Sequence, residues 1–190
     1  MRRLIASGLA ALLLASCGQG EAGGNQATGA AESETNVSVS PGGPSQDLAA
    51  LVAASPRLAQ LFKAAGMERV LAGKEPYTLL APTDAALDKL PAGTFDGLDQ
   101  PQRKAELTAL LRGHILPGTI LAADLARAVE SGNGKATIAT MAGEPLTVSR
   151  EGETFTITGP AGGTAKVVGT EQPARNGVVH QIDTVLAQQG

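Results

Sequence analysis

Residues 77 to 87 read Tyr-Thr-Leu-Leu-Ala-Pro-Thr-Asp-Ala-Ala-Leu, a stretch in which a strand-like pattern gives way to a helix-like one. Tyr77 to Leu80 form a short run of β-favouring and apolar residues. Pro82 ends this run, because proline lacks a backbone N–H and holds the preceding Ala81 in an extended conformation. We therefore predict that a buried strand stops at this point.

The residues after the proline have the character of a helix start. Thr83 and Asp84 each carry a side-chain oxygen that can accept a hydrogen bond from a free N–H of the first helical turn. The Ala-Ala-Leu sequence behind them favours helix. We predict a strand-to-helix corner with a cap at one of these two positions. A catalytic acid at Asp84 is the weaker hypothesis, because capping already explains an aspartate there.

Apolar residues at helical spacing lie on both sides of this corner. Pro56 suits the first turn of a second helix with Ser55 as its cap, and Gly66 suits the left-handed residue that ends it. A later helix is predicted from Gln102 to Leu111, with Gly113 as its terminator. The faces of the first two helices are defined by Leu48, Leu51, Val52, Leu58, Leu61, Phe62 and Ala65.

The second half of the chain changes from helical to alternating periodicity. Apolar residues alternate with polar ones at 146–149 and 154–158, which predicts two strands, and 166–169 and 178–182 give two more. Helices in the first half and strands mainly in the second predict an α+β domain with antiparallel strands packed against helices. Turns are predicted at Ala142-Gly143, Glu151-Gly152 and Asn176-Gly177.

Three stretches, in order, resemble the signature boxes of the fasciclin-like domain family. The corner resembles the first box, Thr-aliphatic-Phe-Ala-Pro-Thr-Asn/Asp-x-Ala-Phe, while residues 114–118 resemble the central histidine box and residues 176–183 the C-terminal box. Residues 58–73 resemble the helices that precede the first box, and the resemblance covers residues 45 to 188. It implies a twisted β-wedge with helices along one side, and a binding module. The matching residues, which we interpret as fold residues, are Thr78, Ala81, Pro82, Thr83, Asp84, His114, Pro117, Gly118, Asn176, Gly177, His180 and Asp183.

His114 and His180 are the two histidines of the chain, so a histidine-dependent mechanism must use one of them. Each lies between aliphatic residues, at a predicted strand position. A buried imidazole there needs a hydrogen-bond partner, and a backbone carbonyl or a carboxylate such as Asp84 or Asp183 would serve. Since a structural histidine needs no substrate, we favour a structural role over catalysis or metal binding.

Sequence motifs for other chemistry are missing. The chain has no Gly-x-Ser-x-Gly nucleophile elbow, no phosphate loop ending in Gly-Lys-Ser/Thr and no Asp-x-Asp-x-Asp-Gly calcium loop. Its single cysteine excludes a site of several thiolates, and two histidines far apart in sequence give little support to zinc. We therefore assign no catalytic residue, no metal and no cofactor.

This chain matches only part of the sequence features that are linked to partner binding in the family. In animal members an Asp-Ile pair before the C-terminal box is linked to integrin contact, and the corresponding residues here are Glu171-Gln172. Because the aliphatic neighbour is lost, the resemblance does not extend to integrin binding. Sugar recognition commonly uses aromatic platforms, and we expect at least two of Phe62, Tyr77, Phe95 and Phe155 to be in the core.

The N-terminus has the layout of a signal peptide. Two arginines precede an apolar run from Leu4 to Ala15, which is too short to span a bilayer. Leu14-Ala15-Ser16-Cys17 resembles the bacterial lipobox, which implies a diacylated Cys17, and an ordinary signal peptide is the weaker alternative. Gly18 in place of Asp implies anchoring at the outer membrane. The predicted parts are a signal peptide (1–16), the lipidated cysteine with a flexible tether (17–44) and the fasciclin-like domain (45–188).

Charge limits the partners. The net charge of −3 and pI of about 5.4 give no basic footprint for nucleic acid and no cationic patch for anionic lipid. The sequence therefore predicts a non-enzymatic, lipid-anchored adhesion module of the cell envelope, which contacts a surface protein or a polysaccharide. The alternatives are an extracytoplasmic carrier of a small apolar ligand and a histidine-dependent hydrolase.

Overall fold

The computed structural model describes residues 44–90, 97 and 100–186. Its helices are α1 (Leu48–Ala53), α2 (Pro56–Ala65), α3 (Glu68–Leu71), α4 (Asp84–Asp88), α5 (Lys104–Gly113) and α6 (Ala122–Ser131), with a 3-10 turn at Pro101–Arg103. Its strands are β1 (Tyr77–Pro82), β2 (Ile115–Pro117), β3 (Lys135–Ala139), β4 (Pro145–Glu151), β5 (Thr154–Thr158), β6 (Thr164–Ala174) and β7 (Gly177–Ile182).

The strands form one sheet in the order β2-β1-β7-β6-β5-β4-β3. The α+β class predicted from the sequence is confirmed, and the strand pairs are antiparallel except that β1 and β7 run parallel. These two strands are about a hundred residues apart in the chain, and alternation of apolar residues carries no information on the direction of so distant a partner.

The sheet is covered on both faces at β1 and β7. Leu79 and Ala81 pack into a first core with α1, α2, α3 and α5, whereas Leu80 packs into a second core with α6 and the strands β3 to β6. Successive side chains of a strand point to opposite faces, so a strand buried on both sides reads as a continuous apolar run. This explains the unbroken apolar stretch at residues 79–82 that marks the corner in the sequence.

Local signals in the sequence predicted several elements well. The strand ends at Pro82 and α4 follows directly. α2 begins at Pro56, and Gly66, with φ +71°, is its left-handed C-cap. Ser55 is at the N-cap position of α2, but its side chain makes no capping hydrogen bond and binds Asp84 instead. The hairpin glycines Gly143 and Gly152 both have positive φ, as tight turns require.

Other predictions for the secondary structure were wrong or incomplete. His114 does not lie on a strand, because α5 runs through Gly113 and His114 is its C-terminal cap residue. β6 is longer than the predicted strand at 166–169, since it continues past a bulge between Val168 and Gln172. α6 and β3 have no counterpart among the predictions, although Ala122, Leu125 and Val129 repeat at helical spacing.

Several predictions concern residues outside the described ranges and stay predictions. They are the signal peptide, Cys17, most of the 17–44 tether and the placement of Phe95. No helix within the described residues combines the length and the apolar character needed to cross a bilayer.

Candidate functional site

The corner between β1 and α4 is closed by backbone and side-chain hydrogen bonds. Thr83 is the N-cap of α4, and its Oγ1 accepts from the Ala86 N–H at 3.2 Å. Its own N–H donates to the carbonyl of Ile182 on β7 at 3.0 Å. Asp84 is exposed, and its carboxylate accepts from the Ser55 hydroxyl at 3.3 Å. Of the two possible caps, Thr83 is therefore the one used.

The three signature boxes meet around the segment that follows β2. The buried Thr78 hydroxyl donates to the carbonyl of Gly118 and accepts from the N–H of Ile120, both at 2.8 Å. The carbonyl of Ile120 lies 2.8 Å from Nε2 of His180. A carbonyl only accepts, so Nε2 of His180 carries the proton. Gly118, with φ +88°, and the preceding Pro117 shape the turn that brings these groups together.

His114 is buried between the end of α5 and the chain after β7. Its Nδ1 lies 2.8 Å from the carbonyl of Leu110, and its Nε2 accepts from the Leu186 N–H at 3.1 Å. Both ring nitrogens therefore have backbone partners, and neither Asp84 nor Asp183 contacts this ring. Burial lowers the pKa of His114, while the bond to Leu110 opposes that shift. The imidazole is consequently neutral at pH 7, with its proton on Nδ1.

Asn176 ties three parts of the first core together. Its Oδ1 accepts from the Leu48 N–H at 2.9 Å, and its Nδ2 donates to the carbonyls of Leu71 and Gly73 at 2.7 and 2.8 Å. The amide is thus the N-terminal anchor of α1 and the C-terminal anchor of α3. Gly177 follows in an extended conformation with φ +149°, and a Cβ there would lie 1.8 Å from the Tyr77 carbonyl oxygen.

Asp183 follows the last residue of β7 and binds the neighbouring strand β6 through its side chain. One carboxylate oxygen accepts from the Lys166 N–H at 2.8 Å and from the Thr184 hydroxyl at 3.1 Å. The other lies 3.8 Å from Nζ of Lys89. The hydrogen bond from the Lys166 amide is the main cause that lowers the pKa of Asp183 below its usual range. This carboxylate is therefore ionised at neutral pH, and its oxygens already have partners within the domain.

Glu171, at the position of the family's integrin-linked acid, also has an internal partner. Its Oε2 accepts from the Ala122 N–H at 2.7 Å, at the first residue of α6. A carboxylate at a helix N-terminus satisfies a free N–H and interacts favourably with the helix dipole. The side chain thus anchors α6 on β6.

The signature groups do not assemble into a catalytic constellation within the described residues. His114 and His180 both use ring nitrogens to bind backbone carbonyl or amide groups. No buried side-chain nitrogen or oxygen among these residues lacks a hydrogen-bond partner, and no three acidic, histidine or cysteine side chains there are grouped to hold a metal ion. Among the described residues, the buried polar groups of the boxes are therefore used in hydrogen bonds that hold the fold together.

Polar side chains without such partners lie in a groove on the helical side of the sheet. We call it the α1–β7 groove; it encloses about 280 Å³ between α1, the start of α2 and the ends of β1, β6 and β7. Gln172 and Gln181 are partly exposed in it, and neither side-chain amide has a hydrogen-bond partner among the described residues. Its lining comprises Leu51, Val52, Ala54, Ser55, Leu58, Ala81, Pro82, Thr83, Asp84, Gln172, Val179 and Gln181. Sequence reasoning missed this groove; two glutamines within apolar strands were the available signal.

Comparisons with known proteins agree with the fold. The protein Sll1483 of Synechocystis is 36% identical over 129 residues, which cover 68% of this chain and 64% of that protein, so the chain spans just under two thirds of it. The immunogenic protein MPB70 of Mycobacterium bovis is 31% identical over 197 aligned positions, which cover 95% of this chain and 91% of the relative.

A solved structure shows the same architecture. The domain pair of the insect cell adhesion molecule fasciclin I superposes with a TM-score of 0.57 at 18% identity, covering 76% of this chain and 52% of that one. The model of the Fasciclin domain matches residues 55–188, which include all three signature boxes. The resemblance stated from the sequence is confirmed: this chain belongs to the fasciclin domain family.

Proposed function

We propose that this protein is a non-enzymatic binding module of a bacterial cell envelope, anchored by a lipid on Cys17, that contacts a surface protein through the α1–β7 groove. The observation that carries the proposal is the contrast between two sets of polar groups. Thr78 and His180 of the signature boxes bind backbone groups within the fold. The amides of Gln172, which lies outside the boxes, and of Gln181, which lies within the third box, face the groove without partners among the described residues.

The groove has the composition of a recognition surface. Its lining combines apolar side chains with two amides, two hydroxyls and the Asp84 carboxylate, so a ligand could bury apolar area and also find directional hydrogen bonds. An amide side chain both donates and accepts, which matches the peptide groups of an extended protein segment. An exposed carboxylate in the lining favours a segment that carries a basic side chain near its end.

A protein fits this groove better than a polysaccharide. Sugar sites commonly stack rings on aromatic side chains, but Phe62 and Phe155 are buried and Tyr77 is partly buried. None of these three lines the groove. The structurally similar domain pair of fasciclin I comes from a cell adhesion molecule, and that likeness supports a contact function for the present chain.

The two alternatives from the sequence have less support. The cleft between the helices and the sheet, lined by Leu61, Phe62 and Leu110 among others, offers about 10 Å³, which is room for roughly one water molecule. A carrier of a lipid or pigment needs far more space. A histidine-dependent hydrolase needs a ring nitrogen that a substrate and a nucleophile can reach. Both ring nitrogens of His114 are bonded to the backbone, and His180 is buried with Nε2 bonded to the Ile120 carbonyl.

The test is capture from the organism's own envelope extract by the full chain, immobilised in detergent. The wild type is compared with a groove variant, Gln172→Arg with Gln181→Arg, and with Gln102→Arg as a control at an exposed site on the 3-10 turn. We expect a saturable protein that the groove variant loses and the control retains.

Other results would contradict the proposal. If the bait retained a glycan and no protein, the proposed class of partner, a surface protein, would be wrong. A protein retained equally by all three baits would place the contact elsewhere, and no saturable partner for the wild type would remove the binding role.

A further inference from the structure

His114 joins the last turn of α5 to the final described residues of the chain. Its Nδ1 binds the Leu110 carbonyl, and its Nε2 accepts from the Leu186 N–H. We call the residues Thr184 to Leu186, which follow β7, the C-terminal segment. Among the described residues, the Leu186 N–H is the one backbone group of this segment that hydrogen-bonds outside it, and its partner is the His114 ring.

The segment closes both cores. Val185 packs into the first core and Leu186 into the second, with 8% and 3% of their surfaces exposed. Besides these apolar contacts, the segment is held by the Leu186 amide bond and by the Thr184 hydroxyl, which accepts from Nζ of Lys89 at 3.4 Å and donates to Asp183 at 3.1 Å. The neighbouring β7, in contrast, is paired on both edges. A segment with so few hydrogen bonds is a candidate for local opening while the sheet stays folded.

The bond to Leu186 requires a neutral ring. An amide N–H can only donate, so Nε2 must have a free lone pair. A proton added at Nε2 would turn this acceptor into a donor, so the two N–H groups of His114 and Leu186 would face each other without a hydrogen bond. The imidazolium would also be a cation buried inside the domain.

The surroundings offer this cation no compensation. The side chains contributed by α2, β1, α4 and α5 to the cleft beside the ring are apolar. On the other side, the crevice lined by Gly113, Thr140, Leu146, Pro160 and Leu186 contains one titratable residue, the exposed Glu144. The adjacent charged residues are the exposed Arg112 on α5, Asp183, whose carboxylate binds the Lys166 amide, and the exposed Lys89, whose Nζ binds the Asp183 carbonyl and the Thr184 hydroxyl.

We propose that protonation of His114 releases the C-terminal segment from the folded domain while the sheet persists. The protein then exposes the Val185 and Leu186 side chains in acid and covers them at neutral pH. Burial lowers the pKa of His114 in the closed form, and opening returns it to the ordinary value of about 6.5. As the pH falls below about 6.5, the opening equilibrium therefore rises up to tenfold per pH unit until the closed form also binds the proton.

The experiment measures amide hydrogen exchange of the full chain in detergent micelles between about pH 4.5 and 7.5, corrected for the intrinsic pH dependence of exchange. We expect the protection of the Leu186 amide to be lower than that of the β7 amides and to fall about tenfold per pH unit below pH 6.5. In His114→Gln, which stays neutral, this slope should vanish.

Two variants serve as matched controls. The His180 ring binds the Ile120 carbonyl through Nε2, away from the bond between His114 and Leu186. His180→Gln should therefore keep the slope at Leu186, and Glu144→Gln should keep it as well.

If His114→Gln fails to fold, nitrogen NMR of the wild-type ring supplies the readout. Nε2 should change from unprotonated to protonated over the same pH range in which Leu186 loses protection. The proposal is overturned if Leu186 and the β7 amides exchange together at every pH, if the slope persists in a folded His114→Gln, or if the ring stays neutral while Leu186 opens.

Discussion

Gly177 lies where β7 begins to pair with the parallel strand β1, and its replacement by alanine tests the packing of these two strands. Gly177 is paired with Tyr77, and a Cβ would lie 1.8 Å from the Tyr77 carbonyl oxygen and 3.0 Å from Cδ1 of Leu48. A methyl group cannot lie 1.8 Å from a carbonyl oxygen. Either the two strands must separate or residue 177 must leave its conformation, and both changes disturb the neighbouring Asn176 amide.

The expected cost has two sources. An L-residue at positive φ costs on the order of 1–2 kcal/mol. Forcing a methyl group into a packed site costs about 1–3 kcal/mol more. We therefore expect Gly177→Ala to lower the free energy of unfolding by about 2–5 kcal/mol, a large fraction of the roughly 5–15 kcal/mol typical of a domain.

Gly162 provides the matched control. It also has a positive φ, +80°, but a Cβ there would have no atom within 4 Å, so Gly162→Ala carries the conformational cost alone. Urea unfolding followed by circular dichroism gives both free energies, with unchanged m-values as evidence that the unfolding transition is comparable. Equal losses in the two variants would refute the close approach of β1 and β7.

Four further expectations follow from the same structure. Leu79→Ala should lower the free energy of unfolding by roughly 2–5 kcal/mol, because Leu79 is fully buried, and a loss under about 0.5 kcal/mol would place β1 at the surface. Asn176→Ala should lower it by about 3 kcal/mol or more in urea unfolding, because it leaves three backbone groups without partners. Asp183 has a lowered pKa, so its contribution is present above about pH 4 and is lost as the pH falls through the folded value; Asp183→Asn should be less stable at pH 7 and lose less stability in acid titrations. Cys17→Ser should move the protein from the membrane to the soluble fraction, and retention in the membrane would contradict lipid anchoring.

Signals confined to a few neighbouring residues predicted the local structure. Pro82 followed by Thr83 specified the end of a strand and the cap of a helix, because both effects act within one or two residues. The same holds for α2, which Pro56 begins and Gly66 ends. His114 was misplaced because aliphatic residues follow it at 115 and 116 and resemble the continuation of a strand, whereas its own backbone completes the last turn of α5.

Interactions between distant residues could not be predicted in this way. Asn176 was interpreted as a turn residue, which describes its backbone, but its amide binds groups more than a hundred residues earlier. The parallel pairing of β1 with β7 and the partners of both histidines depend on the complete fold in the same manner. A sequence pattern shows that a buried polar group needs a partner, but only the packed chain determines which one.

The buried frame of the domain and its proposed recognition surface use their polar side chains differently. Thr78, Asn176 and His180 each bind backbone groups from other elements, so a change at any of them alters the fold before it alters a contact with a partner. Gln172 and Gln181 face the groove without such bonds among the described residues, so their side chains can change with little effect on the frame. The buried polar residues of the boxes therefore report the scaffold. Under the proposed function, the choice of partner rests on groove side chains such as Gln172, which lies outside the boxes, and Gln181, which lies within the third box.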